Sequence, residues 1–373
     1  MTFAATGFAT AASPSADLAV NAVREALARA GRDYANSVVL YLSPDHQRWV
    51  HPCVQAVSRF ARCLQVTGCT VPGIFTERAL KRDDAPEWAL DQPAAAALVL
   101  CGPVSLATTQ AGVAGGEPLL TLAGAGTGLD KQLSSPVARY GTLFSGVEGH
   151  PRGLAWSQCR LREDGAVEAR FSGARTSVAV SRGMQPCSPC LPVTARMGFE
   201  LTMLGHRHAL DTLLDAIPDA EDDAASAASR CFAAVLDDGN APELALEDGR
   251  YALVPVIGIG QRDRSVTLAA RLPERSLIVW VRQDPHTAIA DSRRALAEIN
   301  EAAPAPDFAL MFSCIGRGPY FYGGEDRDLS LLLDRYPGLP VLGAYGTGEI
   351  GPVAGENALL SYSTVYALVG AGH

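Results

Sequence analysis

With 373 residues, 48% apolar and only 19% charged, the chain can bury cores for two domains, and its composition excludes extensive disorder. Its net charge is −9 and its 31 Lys+Arg are dispersed, so it has no basic face for nucleic acid or anionic membrane. Nine cysteines, an odd count in a long apolar chain, point to free thiols in a reducing compartment rather than to a disulfide scaffold.

The first segment, MTFAATGFATAASPSADL, lacks a basic n-region and a continuous apolar h-region. No window approaches the roughly 18 apolar residues of a membrane span. A cytoplasmic protein without membrane insertion is expected. Ser15 or Asp17 starts a helix that runs to Ala30, with Leu18, Val23 and Leu27 on one face and Gly31 as its stop. SVVLYL (37–42) reads as a buried strand. Pro52 suits the first turn of a second helix, and CLQVTGCT (63–70) is a strand entering a glycine turn. AAAALVLCG (94–102) adds a strand, with helix as the alternative. This alternation argues an α/β fold.

Between 117 and 180 the texture changes to short apolar pieces between Gly, Ser and Arg, as expected for strands and tight turns. HALDTLLDAIP (208–218) is helical, and EDDAASAASRCFAAVLDDG (221–239) reads as a second helix. RYALVPVIGIG, SVTLAARL and SLIVWVR are strands. Asp284 caps a helix with Pro285 at its first position. The order strand–helix–strand in SVVLYLS…LQVTGCTVPGIF returns in FALMFSC…LPVLGAYGTGEI, and each unit ends in a glycine-rich turn. The reading is an α/β protein of two similar halves with mixed sheets and a strand-rich middle. Its domains are 1–225, with the strand-rich extension, and 226–373, divided near the DDGNAPE turn.

Two turns carry the candidate ligand chemistry. FSCIGRG delivers Cys314 and Arg317 at the carboxyl end of a strand, where open α/β sheets bind ligands. A guanidinium fork there suits a carboxylate, with Glu325 or Asp326 as alternative internal partners. GAYGTGEIGP sets Glu349 among glycines. Arg317 and Glu349 in one pocket would suit the two charges of an amino acid, with Tyr320, Tyr322, Tyr345 and Asn357 as walls or hydrogen-bond partners. An internal salt bridge without ligand is the structural alternative. TGCTVPG offers Cys69 and Thr70 at the corresponding turn of the first half.

Rival signals are weaker. Cys187, Cys190, His206 and His208 have zinc-ligand types, but the His-x-His spacing is poor for a finger. Cys187 and Cys190 as a redox pair lack a helix start. Cys314 as a nucleophile is the enzyme alternative, with His46, His51 and His150 as distant candidates for a base. Neither GAGTG nor GTGEIG has the spacing of a dinucleotide loop, and with Lys81 and Lys131 as the sole lysines there is no Gly-Lys-Ser/Thr phosphate loop. No cofactor is expected.

The pieces VWVRQDP, LMFSCIGRG, LPVLGAYGTGEIGPV and ENALLSYST resemble the FIST C-domain. LYLSPDH through TGCTVPG, and LAGAGTG, resemble the FIST N-domain, and SRGMQPCSPCLPVTARMGFELTMLGHRHALDTLL resembles the join between them. The chain departs from the family pattern at Met184, Gln185, Cys187, Ser188, Gln283 and Tyr362. The resemblance implies a sensory, signal-transduction protein that binds a small ligand, with amino acids the usual suggestion. It also implies that the signal passes to a partner protein or stays within an oligomer, and the apolar excess suggests a homodimer.

Overall fold

The computed structural model describes residues 2–80, 86–108, 116–147, 150–217, 228, 230–237 and 241–371. The chain divides into two compact units. Unit 1 comprises 1–181 and 292–373, and unit 2 comprises 182–291. The boundary expected at 225/226 lies outside the described residues.

Unit 1 holds two α/β halves built to one plan. In the first half the strands are β1 (Phe3–Thr10), β2 (Ser37–Leu42), β3 (Val66–Thr70), β4 (Gly73–Thr76) and β5 (Ala94–Cys101). Its helices are α1 (Ala16–Ala30) and α2 (Val50–Ala61). In the second half the strands are β6 (Ala174–Ser181), β7 (Phe308–Cys314), β8 (Val341–Gly346) and β9 (Thr364–Ala371). Helix α3 (Pro285–Ala302) leads into that half, and α4 (Arg327–Arg335) joins β7 to β8.

One sheet runs β1-β5-β2-β3 and the other β6-β9-β7-β8. In each, the inner pair is parallel (β2 with β3, β7 with β8) and the outer pairings are antiparallel. The register preserves the sequence echo, since Leu40 pairs Gly68 and Met311 pairs Gly343. Both glycines are required by close approach: a Cβ on Gly68 would collide with the Leu40 carbonyl, and one on Gly343 with the Phe75 ring. Two similar α/β lobes are thus present. In sequence, unit 2 begins after β6 and ends within α3, at Asp291.

The halves trade a strand. β4 follows β3 in sequence but pairs antiparallel with β8, extending the second sheet. A third, seven-stranded sheet contains the parallel pair Leu119–Gly124 and Arg139–Val147, and the hairpin of Gly348–Val353 with Glu356–Leu360. Apolar residues of all three sheets, including Tyr41, Leu98, Leu122, Phe171, Phe308 and Phe312, form one continuous core. The helices cover outer faces: α1 and α2 pack on the first sheet, and Leu296, Ile299, Leu329 and Leu332 on the second.

The caps act as expected. Ser15 accepts from the Leu18 amide, Gly31 adopts a left-handed conformation (φ 61°), and Asp284 accepts from the Thr287 amide at 2.7 Å. AAAALVLCG is a strand, not a helix, because every residue of Ala94–Cys101 is buried between β1 and β2. β1 was not anticipated, since its small residues carry no strand signature until β5 is beside them.

Unit 2 is a barrel. Antiparallel pairing runs from Leu191–Met197 through Glu200–Leu204, Ser265–Leu268, Ala252–Gly260, Cys231–Asp237 and Ser276–Gln283, then back to Leu191–Met197. Leu201, Val254, Val266, Ile278 and Trp280 join its core, with Leu210 and Leu213 of the Ala209–Asp215 helix. Trp280 donates its indole N–H to Thr212 at 3.0 Å, so the buried ring leaves no unpaired donor. Cys231–Asp237 corrects the expected helix over 221–239. Residues 221–227 and 229 of that span lie outside the described residues, as do 238–240 of the DDGNAPE turn. CFAAVLD suits either state by composition, and two strand partners decide for the sheet.

Candidate functional site

β7 ends in a single turn, Ile315–Arg317, which carries the Arg317 side chain into the protein. Arg317 is 1% exposed. Its Nε donates to Asp328 at 2.9 Å. One terminal nitrogen donates to the carbonyls of Ser181 and Tyr362, and the other to the hydroxyls of Ser181 (2.7 Å) and Ser292 (3.1 Å) and to Asp328 (3.2 Å). Every N–H of the fork therefore has a protein acceptor. Burial opposes the cation, but the adjacent Asp328 overrides it and holds the guanidinium even more firmly protonated than usual.

Asp328 is fully buried in the first turn of α4 and also accepts from Ser292, Tyr322 (2.9 Å), Thr364 (3.0 Å) and Tyr366 (3.4 Å). The expected partners Glu325 and Asp326 are not used. Glu325 pairs with Arg327 at 3.4 Å, and Asp326 caps α4 by accepting from the Leu329 amide at 3.0 Å. The Arg–acid pair is internal, and the anion-binding role expected for Arg317 has no donor left to serve it.

Cys314 and Glu349 are near the Arg317 turn, and the remaining candidates serve other elements. Glu349 is buried on the Gly348–Val353 strand and accepts from the Ser363 hydroxyl at 2.7 Å. Cys314 lies close enough to feel both Glu349 and Arg317, but burial first and Glu349 second push its thiol up to about 12. Both effects oppose the thiolate form that a nucleophile needs near neutral pH. His46 and His51 are engaged with Ser43 and Gln55, each at 3.2 Å. Asn357 pins the 135–139 segment, accepting from the Arg139 amide and donating to the carbonyls of Ser135 and Val137. Cys69 is buried in β3, and Thr70 ties β3 to Leu154.

Among the described residues, no three His, Cys, Asp or Glu side chains converge to hold a metal, so Cys187, Cys190, His206 and His208 form no zinc set. Both histidines are exposed, while the Cys187 amide is bonded to the Trp280 carbonyl at 2.7 Å. Burial raises both thiols, the opposite of what a redox pair needs. All nine cysteines are free.

What opens beside the Arg317 loop is a cavity of about 230 Å³ in unit 1. Leu80, Trp88, Pro319, Glu325, Asp326 and Tyr345 contribute to its lining. It lies where β8 and the start of α4 meet. Tyr345 stacks against Phe75 (centroids 4.6 Å apart) and donates its hydroxyl to Asp326 at 2.7 Å. Tyr320 is exposed and meets Trp88 edge-on at 6.3 Å. Of the expected residues, then, Tyr345 reaches the cavity wall, Tyr320 touches that wall through Trp88, and Tyr322 braces the network behind it. Trp88 was missed, and Asp326 was read only as a partner for Arg317. The capping pattern of an acid before RDLSLLLDR marks Asp326, whereas nothing local marks Trp88, which arrives with β4's excursion into the second sheet.

The family model described as FIST C domain matches residues 209–352. Those residues form a FIST C domain. It begins in unit 2, runs into unit 1, and contains Cys314, Arg317, Asp326, Asp328, Tyr345 and Glu349, but not Trp88, Asn357, Cys69 or Thr70. The chain is also similar to an uncharacterized protein of Mycobacterium tuberculosis, 29% identical over 208 residues. A second uncharacterized protein, from Mycobacterium bovis, is 29% identical over 210 residues. In both cases the match covers 55% of this chain and 53% of the relative, so it spans about half the length of these curated proteins. FIST domains are broadly linked to small-molecule sensing and signalling. No helix among the described residues is long and apolar enough to cross a membrane.

Proposed function

We propose that the chain is a small-ligand-binding sensory module whose ligand occupies the cavity between Trp88 and Tyr345, with no bond made or broken in the ligand. The cavity carries this reading. It is concave, partly apolar and furnished with a few convergent polar groups, the usual character of a ligand site. It adjoins the carboxyl end of β8, where α/β sheets place ligands, and its lining includes Pro319, just after the Arg317 turn. The alternative of catalysis by Cys314 is disfavoured by that thiol's burial and raised pKa. Signal output would follow from differential affinity for two conformations, read by a partner protein or a second copy of the chain.

A thermal-shift screen of amino acids, amines and small carboxylates on wild type and Trp88→Ala tests the reading. A ligand of the native state raises the melting temperature. At least one compound class should stabilise wild type and lose that effect in Trp88→Ala. No stabilisation of wild type, or equal stabilisation of both proteins, overturns it.

A further inference from the structure

The polar residues in the cavity's described lining are Glu325, which pairs with Arg327 at 3.4 Å, Asp326 and Tyr345. Its aromatic wall is Trp88. Asp326 is 2% exposed, and its two oxygens accept the Leu329 amide and the Tyr345 hydroxyl. Both of these donors are neutral. Among the described residues no Lys or Arg forms an ion pair with Asp326, whereas Asp328, two positions on, has Arg317. An acid kept at a cavity floor with neutral donors alone is complementary to a cation arriving from outside. Trp88 lines the same cavity, and an indole ring adds attraction for an ammonium ion. A carboxylate ligand would meet two acids, and among the described residues that line the cavity none is Lys or Arg.

Building on the ligand-binding reading above, we infer that this cavity takes an organic ammonium ion with a compact apolar body, and that Asp326 is its counter-ion. The free carboxylate of an amino acid would weaken binding rather than anchor it. The electrostatics agree. Burial, then repulsion from Asp328, pushes the Asp326 carboxyl up to about 7. The titratable groups around it are Glu325 and Asp328 on its own segment, Tyr345 from β8 and Tyr366 from β9, with Arg317 acting on the far side of Asp328. An ammonium ion docking against Asp326 favours the carboxylate, so binding expels a proton wherever the acid was protonated. Below that pKa, affinity improves by about tenfold per pH unit, and above it the dependence levels off.

Three compounds sharing one aromatic body separate the charges: phenethylamine, phenylalanine and 3-phenylpropionate. Titration calorimetry on the full chain, repeated in buffers of different ionisation enthalpy, reads both Kd and protons released. Phenethylamine should bind tightest, 3-phenylpropionate should bind weakest or not at all, and amine binding near pH 6 should release close to one proton. Asp326→Asn keeps an oxygen for the α4 cap and should weaken amine binding at least tenfold and abolish proton release. Glu325→Gln, at a more exposed position, should weaken it less and leave the release intact. Stronger binding of 3-phenylpropionate than of phenethylamine overturns the inference. So does amine binding by wild type without proton release at pH 6, whatever the fate of the Asn variant. If none of the three binds at millimolar concentration the ammonium assignment fails, while the broader ligand-binding reading still stands or falls on the Trp88 comparison.

Discussion

Arg317→Met is the most informative perturbation of the second half. It removes a guanidinium whose donors reach Asp328, Ser181, Ser292 and the Tyr362 carbonyl. Asp328 then remains buried with only hydroxyl partners from Ser292, Tyr322, Thr364 and Tyr366. Removing one partner of a buried pair costs about 3–5 kcal/mol, because the other charge stays desolvated. The surviving hydroxyls retain part of the carboxylate's solvation, which places the expected loss near the lower end, about 3 kcal/mol. That is a large share of the roughly 5–15 kcal/mol by which folded domains are stable. Asp328→Asn strands the guanidinium instead and should cost a similar amount. The double variant removes both charges and should cost clearly less than the sum. Urea denaturation of the four proteins, treated as a double-mutant cycle, measures the coupling. Single-variant losses below about 1 kcal/mol, or strict additivity, would show that Arg317 does not brace the β7 loop.

Other outcomes follow from the same packing. Folding raises the Asp326 carboxyl from its ordinary 3.8 to about 7. The folded state therefore holds this proton more tightly, and the associated stability is full below about pH 4 and lost as pH rises through 7. Asp326→Asn should flatten that part of the urea stability profile between pH 4 and 7, and an unchanged slope would count against the buried acid. Alkylation of the native protein near pH 8, followed by mass spectrometry, should modify half-buried Cys159, Cys187 and Cys190 before buried Cys53 and Cys314, whose thiols burial lifts to about 12. Rapid modification of Cys314 would reopen the nucleophile reading. A Cβ on Gly7 would strike the Ala22 carbonyl and come within 2.6 Å of the Ala26 amide, so Gly7→Ala must push α1 off its sheet. We expect a loss of at least about 3 kcal/mol, read by circular dichroism on thermal melting. A melt within a few degrees of wild type would argue against that packing.

Much of the architecture was legible in local chemistry. Continuous apolar runs in SVVLYL and FALMFSC marked central strands, because a strand buried on both faces needs no alternation. Ser15, Gly31 and Asp284 marked helix ends through groups that satisfy orphan backbone donors and acceptors. The glycine echo at Gly68 and Gly343 signalled a repeated sheet plan, since both positions forbid a side chain. The place of FSCIGRG at a strand's carboxyl end was also legible.

The sequence by itself thus determined where chain segments are extended, where helices stop, and that one α/β plan occurs twice. These are properties of a few neighbouring residues. Only the tertiary structure decided that CFAAVLD closes a barrel as a strand, that β4 leaves its own half for β8, and that Arg317 answers to Asp328 and not to a ligand. Partner choice at those places depends on which polar groups become buried together. Burial turns a short-range preference into a requirement that each charge and hydrogen-bonding group be satisfied. The cavity arises from the same cause: it is the space left between Trp88, carried over by β4's excursion, and an acid whose two oxygens take neutral donors.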